Sequence, residues 1–146
     1  MGSAPLWLAG AMLAQGVLIF IITGLLYFAR IPLIMRREVR IGDIAVDKSK
    51  WPDRSRLVAN AFENQFEMPM LFFVAALLAL YFGASLVEVL LAWLFVASRF
   101  VHAFIHLTSN HVVRRFSAYA AGVVILGLMW IDLAVRLIAA AATGVA

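Results

Sequence analysis

The stretch RLVANAFENQFEMPMLFF, residues 56–73, decides the fold. It opens an apolar run long enough to cross a membrane, yet it carries Asn60, Glu63, Asn64 and Glu67 before that run becomes wholly apolar. At about 100° per residue, Arg56, Asn60, Glu63, Asn64 and Glu67 fall within roughly 100° of helical arc, so one stripe is polar and the rest apolar. Lipid solvates neither a carboxylate nor a carboxamide, and such a stripe has to face other helices or a polar hollow.

The rest of the chain supplies the helices. Of its 146 residues, 65% are hydrophobic and 14% charged, and the mean hydropathy is +0.99, which puts it among integral membrane proteins. Four segments, residues 6–28, 57–82, 86–107 and 113–137, each offer the about 20 apolar residues that a hydrocarbon core requires. Strands would need a closed barrel and an alternating pattern that is absent, so the expected fold is all-α: one membrane domain, a four-helix bundle, spanning the chain. The absence of cysteine excludes disulfides, thiolate metal sites and a cysteine nucleophile. The net charge of +4 bears on orientation in the bilayer, and no nucleic-acid partner is expected. MGSAP at the start lacks a basic region, and the first apolar segment reads as a retained span.

Turn chemistry sets the boundaries. Gly83 suits the end of the second helix, and Ser85 with Glu88 has the spacing of a capping box for the third. Pro32 is expected to close the first helix soon after Arg30, leaving residues 31–55 as the one substantial loop. That loop and its edges hold Arg30, Arg36, Arg37, Arg40, Lys48, Lys50, Arg54 and Arg56, whereas the turn between the second and third helices has no basic residue. The positive-inside rule makes the loop cytoplasmic, Arg114 and Arg115 agree, and both termini fall on the opposite side.

The third helix carries its own polar stripe: Arg99, His102, His106 and Asn110. At about 1.5 Å per residue, Glu67 lies about 15 Å from the cytoplasmic end and Arg99 near the same level, which predicts that the two meet directly or through a ligand. Nearer the cytoplasm, His102 is expected beside Asn64 and Glu63, and His106 beside Asn60. The outer halves of both helices are apolar, so the pattern describes a dead-end hollow open to one side. Interhelical glue and a ligand wall remain alternative readings of these stripes. No metal site is expected. Asp132 and Arg136 have the spacing of a local ion pair, Pro69 that of a helix kink, and Trp7, Trp51, Trp93 and Trp130 read as interfacial or packing aromatics.

Asn64, Glu67 and Pro69 on the second helix, Ser98, Arg99 and His102 on the third, and Arg115 with Tyr119 opening the fourth together resemble the MAPEG family, the membrane-associated proteins in eicosanoid and glutathione metabolism. The run from Asn60 to Phe73 is similar to its bacterial branch. The resemblance implies a homotrimer in the bacterial inner membrane, with glutathione as cosubstrate in a cytoplasm-facing cleft between subunits. It implies that Glu67 meets the γ-glutamyl ammonium and that Arg99 and His102 position the tripeptide. Asn64 and Tyr119 match further contact positions, His106 stands where tyrosine is frequent, and Arg115 stabilises the thiolate, with Tyr119 beside it as a catalytic candidate. The implied activity is a glutathione transferase or peroxidase acting on lipophilic electrophiles that arrive from the bilayer. Asn60 and Glu63 depart from the family pattern, which has basic residues there. They point to the alternative, a non-catalytic lipid-binding or accessory membrane protein.

Overall fold

A computed structural model describes residues 3–143. The elements are α1 (Ala4–Met35), α2 (Ile41–Ile44), a 3₁₀ turn (Lys48–Lys50), α3 (Asp53–Glu63), α4 (Met68–Tyr81), α5 (Leu86–Leu107) and α6 (Val112–Thr143). No strand occurs among the described residues. Four helical segments, the second being α3 and α4 taken together, are long and apolar enough to cross a membrane. The outside of the bundle is correspondingly apolar, with Phe20, Phe28, Leu90, Phe104 and Ile131 exposed, a surface that suits lipid and not water.

The half of the bundle away from the α1–α3 loop is an apolar core. Leu8 and Ala11 of α1, Phe72, Ala75, Ala76 and Ala79 of α4, Ala92 and Phe95 of α5, and Leu126 and Met129 of α6 form one buried cluster. Alanine at so many contact positions lets backbones approach, which is how helices associate when lipid supplies no hydrophobic drive. Phe72 stacks on Phe95 with centroids 4.8 Å apart. Gly122 serves the same end, because a Cβ there would lie 2.7 Å from Ser98 Oγ. Ser98 thus packs at the α5–α6 contact, and its hydroxyl donates to the Phe95 carbonyl at 2.6 Å.

The turn between the second and third spans is built as its residues predict. Gly83 adopts φ +86°, the left-handed conformation that favours glycine. Ser85 Oγ accepts from Glu88 N at 3.3 Å, and Glu88 Oε2 accepts from Ser85 N at 2.7 Å, completing the capping box.

Three expectations are corrected. Pro32 lies inside α1, which runs on to Met35 and closes where Arg36 N donates to the Pro32 carbonyl. Asp132 and Arg136 do not pair with each other. Arg136 instead donates through Nη1 to Glu88, whose side chain is fully buried, and through Nη2 to the Gly83 carbonyl at 2.6 Å. The contact joins the end of α6 to the start of α5, and a pair 48 residues apart leaves no local trace in sequence.

The third correction concerns the second span, which is interrupted. Residues 64–67 are non-helical, and α4 starts afresh at Met68 with Pro69 in its first turn, where a missing N–H costs no hydrogen bond. The expected kink at Pro69 is therefore a full break one turn earlier. Irregular backbone at membrane depth is tolerated only where other groups satisfy it. Arg99 Nη2 does so, donating to the Asn64 carbonyl at 3.0 Å. Gln65, also in the break, is buried and accepts from Gln15 Nε2 of α1 at 3.2 Å, while its own Nε2 donates to the Ala61 carbonyl at 3.2 Å. Replacing Gln15 with leucine strands the Gln65 carbonyl oxygen and should cost about 1–2 kcal/mol. Melting in detergent should show part of that loss recovered in the double variant Gln15→Leu/Gln65→Leu, because no polar atom is then left without its partner across this contact.

Candidate functional site

The break splits the polar stripe of the second span into two environments. On the α3 side, Arg56 Nη2 donates to Asp53 Oδ1 at 2.5 Å, and Lys48 of the loop pairs with Glu63 at 2.6 Å. These groups, with Asn60, face a groove at the loop end of the bundle. The expected approach of Glu63 to His102 and of Asn60 to His106 is not seen: Glu63 is held by the loop, and Asn60 is exposed.

Within the break, Asn64 and Glu67 turn toward α5 and α6. They line a hollow of about 220 Å³ with His102, Arg115, Phe116 and Tyr119. Five of the seven candidate site residues thus reach one place. Arg99 and His106 are each 1% exposed and lie behind its wall.

Local interactions orient the wall. His102 Nδ1 lies 3.1 Å from the Arg115 carbonyl, so Nδ1 carries the donated proton and Nε2 of the neutral ring is an acceptor. Nε2 is buried without a partner among the described residues, as are both ring nitrogens of His106. The two rings sit 5.8 Å apart, and that of His102 is 5.9 Å from Tyr119. Arg115 Nη1 donates to Asn110 Oδ1 at 2.6 Å, where Asn110 takes φ +47° at the α5–α6 turn. The Arg99 guanidinium lies 5.8 Å from the centre of the Tyr119 ring.

Glu67 and Arg99 form no ion pair within 4 Å; the guanidinium goes to the Asn64 backbone instead. The depth argument placed both groups near the break but treated the helix as continuous. Interruption releases the Asn64 carbonyl, and a buried unsatisfied carbonyl competes for the same donor. Glu67 is left exposed on the flank of the chain. Gln15 and Gln65 were passed over, although a glutamine within the apolar run of α1 is itself the signal of a buried polar contact.

Together these features define a membrane-embedded helical protein with a polar part-site between its second, third and fourth spans, on the side of the α1–α3 loop. The model of the MAPEG family matches residues 8–135, and the chain belongs to that family. No curated protein and no solved structure matches it.

Proposed function

We propose that the protein is a glutathione-dependent transferase or peroxidase acting on lipophilic electrophiles, working as a homotrimer with the loop between α1 and α3 on the cytoplasmic side of a bacterial inner membrane. The observation that carries this reading is the convergence of Glu67 of the second span, His102 of α5, and Arg115 and Tyr119 of α6 on one hollow.

The donor set suits a zwitterionic thiol tripeptide. Glu67 offers a carboxylate to an ammonium, Asn64 and His102 offer amide-type partners, and Arg115 with Tyr119 offers donors to a thiol or thiolate. Glutathione would supply the nucleophilic sulfur. A guanidinium keeps its charge at any physiological pH, so Arg115 stabilises the ionised form wherever the sulfur lies beside it. Exposure of Glu67 at membrane depth supports the trimer, since a carboxylate cannot face lipid unpaired and a neighbouring chain would close that side. The exposed apolar helix faces give a lipophilic partner access from the bilayer.

A non-catalytic lipid-binding or accessory role draws support from Arg115, whose Nη1 is already engaged by Asn110. The two readings separate on ligand binding. A ligand taken up only by the native state raises the melting midpoint, by about 2.7 kcal/mol of stabilisation at a hundredfold excess over its dissociation constant. Millimolar glutathione should therefore raise the melting temperature of the detergent-solubilised protein, and an unchanged midpoint would select the accessory role.

A further inference from the structure

The groove on the α3 side of the break lies apart from the hollow lined by Glu67, Arg115 and Tyr119, although Asn60 and Glu63 in its wall hold positions where the family has basic residues. It encloses about 750 Å³ between the end of α1, the loop and α3, and is lined by Arg30, Lys48, Arg54, Arg56, Ser49 and Asn60, with Asp53 and Glu63 as its acids. Four cations against two carboxylates leave an excess of two positive charges. The carboxylates are spoken for, Glu63 by Lys48 and Asp53 by Arg56.

The remaining two cations, Arg30 and Arg54, are held in place without being neutralised. Arg30 lies over the indole of Trp51 at 4.5 Å, and its Nε is buried with no partner among the described residues. Stacking fixes the plane of a guanidinium and leaves its edge free for an anion. Arg54 donates Nη1 to the Leu107 carbonyl at 2.7 Å, a neutral tether that consumes one of its five N–H groups. The exposed hydroxyl-bearing Ser49 and carboxamide-bearing Asn60 add uncharged donors. Two preset guanidinium forks with neutral donors between them are the chemistry of a phosphate oxyanion site.

Position narrows the source of the phosphate. Arg30 follows directly on the apolar run of α1, whose Phe20, Tyr27 and Phe28 are exposed on the surface of the chain. The groove therefore opens at headgroup level, beside a surface on which acyl chains can lie. We propose that it binds the phosphodiester of an anionic phospholipid from the surrounding leaflet. A zwitterionic lipid fits less well, because its ammonium would have to share the groove with the two unneutralised arginines.

The test is native mass spectrometry of the full chain in neutral detergent, offered phosphatidylglycerol and phosphatidylcholine in equal amounts. The wild type should retain phosphatidylglycerol preferentially. Arg30→Gln/Arg54→Gln should weaken that lipid about thirtyfold, the order expected for two surface cations lost. Asn60→Asp adds a carboxylate at an exposed position, with no change of shape, and should lower the same affinity while both arginines stay; it decides the matter if the double variant fails to fold. Equal retention of the two lipids by the wild type, or an unchanged preference in Asn60→Asp, would overturn the proposal. Displacement of the lipid by millimolar inorganic phosphate would overturn the lipid source and assign the groove to a soluble phosphate compound. None of these outcomes depends on whether glutathione binds in the other hollow.

Discussion

Arg115→Ala is expected to leave glutathione bound while removing the ultraviolet absorbance of its thiolate. A thiol has a reference pKa of about 8.5, so about 3% is ionised at pH 7; beside a fixed cation the value falls to about 7 or below, and half or more is ionised. Loss of Arg115 should therefore cut the thiolate fraction, and the rate of conjugation with it, by about fifteenfold at pH 7. The midpoint of the pH–rate curve should climb from about 7 toward about 8.5, because removing a positive charge disfavours the anion and raises the pKa. Binding should survive, since Glu67, Asn64 and His102 line the same hollow independently of that side chain. Arg115→Lys should recover much of the ionisation, as lysine restores a cation, but not the link to Asn110 in the same geometry. A thiolate band of undiminished size in Arg115→Ala would remove Arg115 from the chemistry, and loss of binding together with the band would assign it to docking.

The largest effect on stability is expected at the opposite end of the molecule. The Glu88 side chain is fully buried and does two things at once, accepting from Ser85 N at the start of α5 and pairing with Arg136 of α6. Glu88→Ala removes the side-chain half of the capping box and leaves the guanidinium of Arg136 with only the backbone carbonyls of the turn. Losing a charge-assisted contact to a part-exposed guanidinium costs about 1.5–3 kcal/mol, and the lost half of the capping box adds up to about 1. Thermal melting in detergent should show a loss of that size, together with loosening of the α4–α5 turn toward proteases. Replacing both partners, in Glu88→Leu/Arg136→Leu, should recover a substantial part of it, because no charge is then left unpaired. A melting temperature in Glu88→Ala equal to that of the wild type would show that the pair contributes nothing net.

What could be read from the residues alone follows the range of the interactions involved. Hydropathy located the spans because a bilayer imposes a length, and Ser85 and Glu88 announced their box because both partners lie within one turn. Arg99, His102 and Arg115 stood out as intramembrane or membrane-edge polar groups, which are too costly to keep without a purpose, whereas Tyr119 came into view only through the family resemblance. The interruption at Asn64–Glu67 was hidden. Pro69 signalled only a kink, by withholding the N–H that the Gln65 carbonyl would need; what holds the helix fully open is tertiary, the donation by Arg99 to the released Asn64 carbonyl and the bond between Gln15 and Gln65. Continuity was the wrong assumption, and Glu67 and Arg99 make no direct ion pair, although the carboxylate is near enough for its charge to act on the guanidinium. Arg136 was assigned to the nearest acid in sequence when its partner lay on another helix.

The link between Glu88 and Arg136 also bears on how the chain is made. The carboxylate leaves the ribosome 48 residues ahead of the guanidinium that neutralises it. Until the last helix has emerged, Glu88 has only the local Ser85 N–H as a partner, and the contact that ties the third crossing to the fourth can form only afterwards. The final stretch of the polypeptide thus acts as a closing stitch for a segment translated well before it.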